Sequence, residues 1–324
     1  MQSLERLFNT TMSWIKDLSN EKIIIHNDID ALLCAGFLGE YAKMNNIVGM
    51  YDTRIFYLKE DIPDEEFKKQ SYLKECIGVD LDLTIEGMRT LGHHMTGIIR
   101  QGVSYNVNDI FNSLDNVAKG STIYREKYPL NEIIFLYSLF GMQPQTDEEI
   151  ALLVYADSVF TSYRDHMPNV RNWLKKLNQT KILDALDNRY PKIFGIICSR
   201  IVPLTKGFGT NKKFKQFTLT RYNPIKSTYE YIGNPQFLIN FINKTMHWNM
   251  KSLPNKLMHK KMLYYYEIEL CDRNNKDKNT INERLKKLNK VFGGKDFVYS
   301  SSWAYEHVCK VTTSAKINTD FLKK

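Results

Sequence analysis

No CxxC pair occurs among the five cysteines (Cys34, Cys76, Cys198, Cys271, Cys309), which are scattered, odd in number and mostly set in apolar runs. Their pattern argues against a disulfide framework or a thiolate metal site and predicts reduced core residues in a cytoplasmic protein. No stretch approaches the ~18 to 20 consecutive apolar residues of a spanning helix, so no membrane partner is expected. The first twenty residues carry charges inside an apolar pattern, as an amphipathic helix does and a signal peptide does not. A GxSxG elbow, a Walker loop and a suggestive Cys/His pairing are all missing, so no amino-acid nucleophile is evident. Repeats and low-complexity tracts are absent too, which leaves an ordinary globular chain.

What is present is a large apolar complement and an uneven charge. With 43% hydrophobic residues in 324, the chain can bury a sizeable core, and its length favours two domains. Residues 1–190 hold 20 Lys and Arg against 27 Asp and Glu, a net of −7. Residues 191–324 hold 25 against 9, a net of +16. An acidic half suits cation collection and a basic half attracts polyanions, although charge alone names no particular polyanion.

The acidic half is organised around Ile23-Ile24-Ile25-His26-Asn27-Asp28-Ile29-Asp30 and the apolar run from Ala31 to Leu38. Three consecutive β-branched residues predict a fully buried strand, and the run after the acids predicts a helix packed on its sheet. His26, Asp28 and Asp30 alternate, so in an extended segment His26 and Asp30 point one way and Asp28 the other, at the carboxyl end of a strand, where open α/β sheets place ligands. Oxygen-rich ligation with some imidazole suits manganese or magnesium. An Asx turn with a capping aspartate accounts for the same segment, and on these residues alone both readings stand.

Strands are expected at Ile47 to Met50 and Arg54 to Leu58, and the run Cys76 to Leu83 reads as a second buried strand with Asp80 and Asp82 on one face at its carboxyl end. A helix from Ile85 to Leu91 would then lead to Gly92-His93-His94, with the adjacent imidazoles pointing apart so that one ligates and the other faces a substrate. Asn131 starts an apolar helix, Ile133 to Phe140; Thr146 and Glu149 form a capping box for Asp147 to Ala156. That helix delivers Asp157, whose burial demands a cation or donors. Arg164 to Asp187 reads as a connecting helix. Beyond it come strands at Phe194 to Val202, Gln216 to Arg221, Met262 to Cys271, Phe297 to Trp303 and His307 to Thr313, a basic loop from Lys206 to Lys215, and helices at Pro235 to Trp248 and Thr280 to Phe292.

Taken in order, these pieces resemble the DHH phosphoesterase superfamily, which includes RecJ-type exonucleases, short-oligonucleotide ribonucleases, cyclic-dinucleotide phosphodiesterases and family II pyrophosphatases. The first motif is similar to His26-Asn27-Asp28-Ile29-Asp30, the second to Val79-Asp80, the third to Gly92-His93-His94 and the fourth to Ala156-Asp157. The resemblance implies that His26 and Asp28 hold one metal, that Asp30, His93 and Asp157 hold a second, that Asp80 bridges both and acts in catalysis, and that His94 faces the scissile phosphate. The name-giving acid of the third motif is Gly92 here, which removes a carboxylate that would orient the neighbouring histidine. Phe292-Gly293-Gly294-Lys295 looks like a truncated substrate-gripping glycine motif without its third glycine or its histidine, and reads better as an ordinary glycine cap after the helix.

The expected fold is therefore α/β, a mainly parallel sheet flanked by helices, with a smaller α/β unit behind it. The expected division is a DHH-like catalytic domain at 1–163, a connecting helix at 164–191 and a basic substrate-binding domain at 192–324. The resemblance implies a hydrolase using two manganese or magnesium ions on single-stranded DNA or RNA, a short oligonucleotide or a nucleotide signal. The alternatives are a non-catalytic nucleotide- or nucleic-acid-binding protein on the same fold and a pyrophosphatase-like hydrolase; a homodimer is compatible with each.

Overall fold

The computed structural model describes residues 13–16, 19, 21–52, 55–63, 71–83, 85, 87–94, 103–106, 126–205, 209–210, 217–223, 228–255, 257–262, 264–271, 278–292, 298–305, 308–314 and 316. The first strand, β1 (Lys22–His26), buries Ile23, Ile24 and Ile25 completely, because both faces of the sheet are covered there. It runs parallel to β2 (Asn46–Tyr51) on one side and to β4 (Cys76–Val79) on the other; β3 (Ile55–Lys59) is antiparallel to β2. Beyond β4 the parallel set continues through β5 (Arg89–Gly92) and β6 (Val103–Asn106).

The helix α1 (Ile29–Tyr41) follows β1 directly, and every residue from Ile29 to Leu38 is buried. A helix apolar all round has to be enclosed on all sides. It packs against α2 (Glu132–Leu139), which is equally buried and starts at Asn131, whose side chain accepts from Ile134 N. Thr146 caps α3 (Asp147–Tyr155) by accepting from Glu149 N at 3.1 Å, while the Glu149 carboxylate reaches back to Gln145 N at 2.7 Å. The expected capping box thus closes one residue further upstream.

Two expected elements are different in kind. Residues 85–91 form no helix: Gly87 adopts φ +81°, and Arg89–Gly92 is a strand whose Gly78↔Thr90 register seats it beside β4. The histidine pair therefore leaves the carboxyl end of a strand, where β1 and β4 also end. Phe194 to Val202, expected as a strand, is helical through α6 (Tyr190–Ile196) and a π-turn at Ile197–Ile201. Ile193, Ile197 and Ile201 are each buried at four-residue spacing while Phe194 is exposed, so helical periodicity prevails over β-branched composition. The expected connecting helix is α4 (Val159–Lys176) followed by α5 (Thr180–Asn188).

The sheet does not stop at the change of charge. Its order is β6-β5-β4-β1-β2-β3-β11-β10-β9, where β9 (Thr220–Asn223), β10 (Thr228–Tyr231) and β11 (Leu257–Met262) come from the basic half and run antiparallel. The result is a mixed α/β sheet with helices on its flanks. A small hairpin, β7 (Gly209–Thr210) with β8 (Phe217–Thr218), precedes those strands. A separate three-stranded sheet of β12 (Tyr264–Glu269), β14 (Val308–Thr313) and β13 (Val298–Tyr305) buries its own small core under α7 (Lys278–Phe292). Among the described residues no helix is long and apolar enough to cross a membrane.

Candidate metal centre

β1, β4 and β5 are adjacent and parallel, so their carboxyl ends converge. His26 closes β1, and the chain turns at once: Asp28 is the N-cap of α1, its Oδ1 accepting from Ala31 N at 3.0 Å. Its other oxygen, Oδ2, meets His26 Nδ1. The helix cap and the histidine contact thus fall to different oxygens of one carboxylate. Because the segment bends into a helix at Ile29, the expected alternation fails. His26 and Asp28 come together, and Asp30 turns away into the core.

Asp30 is completely buried and accepts two backbone amides from the start of α2, Glu132 N at 2.7 Å and Ile133 N at 3.1 Å. Helix N-termini stabilise anions through such amides and their dipole. Asp80 follows β4 at φ +55°, and Asp157 sits in the break between α3 and α4 at φ +50°. Left-handed backbone costs a non-glycine residue about 1–2 kcal/mol, a strain found where geometry serves function. Asp80 lies between the histidines, its Oδ1 3.1 Å from His93 Nδ1 and its Oδ2 3.9 Å from His26 Nδ1. His93 Nε2 is 3.0 Å from Asp157 Oδ2.

All six expected ligands therefore meet at one place, in two groups. His26, Asp28 and Asp80 form one; Asp30, His93 and Asp157 form the other, and within each the ligand atoms lie within 4.8 Å of one another. These groups could hold a metal ion. His94 is beside them, but the two imidazoles do not point apart: their ring centroids are 4.2 Å apart and tilted by 31°. His93 is drawn inward by Asp80 and Asp157, and half-exposed His94 is held by Asp82 on the same side. Gly293, Gly294 and Lys295 lie outside the described residues, as do the residues of the basic loop other than Gly209 and Thr210.

Three neighbours were not anticipated. Glu132 is completely buried, neither carboxylate oxygen accepts a hydrogen bond, and Oε2 is 4.0 Å from His93 Nδ1. An acid opening an apolar helix was its only signal. Asp82 accepts from His94 N at 3.2 Å and lies 3.1 Å from His94 Nδ1. Lys127 has its ammonium pKa lowered to about 8 by burial, against the pull of Asp82 and Asp157.

The charges explain why the cluster calls for a cation. Five carboxyl groups, from Asp28, Asp30, Asp80, Glu132 and Asp157, surround the imidazoles of His26 and His93. Burial first, then repulsion among the acids, pushes Asp30, Asp80 and Glu132 well above the usual carboxylate range. Burial also acts on Asp28, but His26 and the Ala31 amide outweigh it and hold that carboxyl down at about 2. Burial opposes charging of His93, yet Asp157 and Asp80 raise it well above its ordinary value. His94 is lowered by burial and by His93. An excess of buried acid is relieved by protons or by a metal, and oxygen with imidazole donors fits a hard or borderline divalent cation. Cys34 adds no thiolate, since burial and the nearby acids keep its thiol protonated.

No protein-family model, curated protein or solved structure matches this chain. One contact ties the centre to the basic half: buried Asn27 Oδ1 accepts from Leu219 N at 3.0 Å and Thr220 N at 3.1 Å. The residue between His26 and Asp28 thereby anchors the start of β9.

Proposed function

We propose that this chain is a DHH-type, metal-dependent phosphodiesterase acting on single-stranded or short oligonucleotides, or on a nucleotide signal. The observation that carries the reading is the pair of ligand groups on either side of Asp80, each with its own histidine. His26 and Asp28 would hold one manganese or magnesium ion, Asp30, His93 and Asp157 a second, and Asp80 both. Bound there, such a pair supplies Lewis acidity at the phosphoryl oxygens and lowers the pKa of the attacking water.

The chain's own groups do the rest. The strand ends and the start of α2 hold the carboxylates in place before substrate arrives, so little reorganisation opposes the reaction. His94 keeps Nδ1 on Asp82, and in its protonated form donates Nε2–H to a phosphoryl or leaving oxygen. Lys127 adds positive charge beside Asp82 and Asp157. The basic half, joined to the metal-binding turn through Asn27, attracts the polyanionic strand.

The test is hydrolysis by purified protein with manganese of bis(p-nitrophenyl) phosphate, short RNA, single-stranded DNA, a cyclic dinucleotide and pyrophosphate. Cleavage of a phosphodiester is the expected result. Retention of oligonucleotide on a gel without cleavage would establish the binding-protein alternative. Rapid phosphate release from pyrophosphate, with no oligonucleotide binding, would establish the pyrophosphatase-like one.

A further inference from the structure

We infer that Asp82 is the positioning residue of His94, and that position 92 is glycine because the Asp82 carboxylate, with the Leu81 carbonyl beside it, occupies the space a side chain there would fill. The inference deepens the phosphodiesterase reading and rests on it for its catalytic consequence.

The geometry is explicit on both sides of the carboxylate. A Cβ built on Gly92 would stand 2.3 Å from Asp82 Oδ1, 2.9 Å from Asp82 Cγ and 2.9 Å from Leu81 O. Non-bonded carbon and oxygen do not approach that closely, so alanine at 92 and the present Asp82 rotamer exclude each other. The other oxygen, Oδ2, accepts from the His94 backbone amide and faces His94 Nδ1, at 3.2 and 3.1 Å. One carboxylate thus packs over residue 92 with one oxygen and fixes residue 94 with the other. The Asp82 side chain is only 8% exposed, whereas that of His94 is 47% exposed. The buried partner orients the accessible one.

Carboxylate bonding at Nδ1 selects the tautomer that carries its proton there, which leaves the Nε2 lone pair for the centre when the ring is neutral. The orienting acid that a third-motif aspartate would place at position 92 is delivered instead from the turn after β4. Two neighbouring strands reach the same spot, and only one can fill it. On this account Gly92 records a relocation of the acid, and no carboxylate has been lost.

Two arms test the inference. In metal-free protein, nitrogen-15 NMR of His94 reads the tautomer without any turnover. The expected result is Nδ1–H in wild type and a shift towards Nε2–H in both Asp82→Ala and Gly92→Ala. An unchanged His94 tautomer in Asp82→Ala overturns the assignment. In the kinetic arm, each single variant should lose ~10- to 100-fold in kcat with KM little changed, the range seen when a carboxylate orienting a site histidine is removed. Asp82→Ala combined with Gly92→Ala should be no worse than either alone, because both remove one interaction. Losses that multiply would contradict the shared role. A wild type that cleaves no phosphodiester defeats the functional reading, and the NMR arm then decides the positioning claim by itself.

Discussion

The two ligand groups differ in how far along the chain they reach. His26 and Asp28 are two residues apart on one turn, partly exposed, and already in contact through local geometry. Asp30, His93 and Asp157 come from three separate segments; Asp30 and His93 are buried, and Asp30 is held by amides of a fourth element, α2. Apart from Asp80, which comes from the end of β4, the outer group is a product of one turn, and the inner group a product of the whole fold. Loss of an inner ligand should therefore disturb folding as well as chemistry, while loss of an outer one should cost less stability. Asp80 stands in the first group and 3.1 Å from His93 of the second, and the proposed reading shares it between them.

The largest effect should come from removing that shared member. Asp80→Asn, which tolerates the left-handed backbone, should reduce turnover by more than ~100-fold, beyond the usual loss from an outer-sphere change. Thermal unfolding should stay near wild type, and metal content should fall at both positions. Unchanged turnover, or loss of only one ion, would remove Asp80 from its place between the groups.

Next in size is the contrast in stability. Asp30→Ala orphans two buried amides at about 1–3 kcal/mol each, so metal-free protein should lose at least ~2 kcal/mol in denaturant unfolding. Asp28→Ala removes an N-cap and should lose about 0.5–2 kcal/mol. Equal losses would erase the distinction between outer and inner groups.

The smallest effect is the pH dependence of stability. Asp30, Asp80 and Glu132 bind protons more tightly in the folded state, so metal-free protein should lose stability as pH rises above their ordinary values of 3.8 and 4.5 towards the raised ones. His93 acts in the same direction: its contribution is complete below 6.5 and is lost as pH rises through its raised value. Asp28, held at about 2, contributes above 3.8 and matters only in acid. A metal replaces the displaced protons, so the manganese-induced gain in melting temperature should be larger at about pH 8 than at about pH 5.5 by a few degrees, at 2–4 °C per kcal/mol. An equal gain at both pH values would mean that the ion does not compete with these protons.

How much of this could be read without coordinates follows the same contrast. β1, α2 and α3 carry local signals, an all-apolar β-branched run or a capping side chain, and stand within a residue or two of where those signals put them, whereas β4 stops at Val79, short of the expected run to Leu83. The strand at Arg89–Gly92 does not: both its neighbours are strands from elsewhere in the chain, and its own residues announce nothing. β11 also escaped notice, since its Lys-rich sequence becomes a strand only by pairing with β3. Asp82 looked like a companion of Asp80 on one face, yet its partner is twelve residues away on the next strand end. Glu132 looked like a first-turn acid and is a buried member of the centre.

The amino-acid order by itself determined the buried strand β1, the histidine that ends it and the acids that follow it, and the charge division between halves, because these depend on side-chain polarity and on interactions within a few residues. Only the tertiary structure decided which acid stands with which histidine, why residue 92 is glycine, and that the basic half continues the acidic half's sheet. Those outcomes depend on distances between segments far apart in the chain, which sheet register and helix packing set and no local pattern encodes.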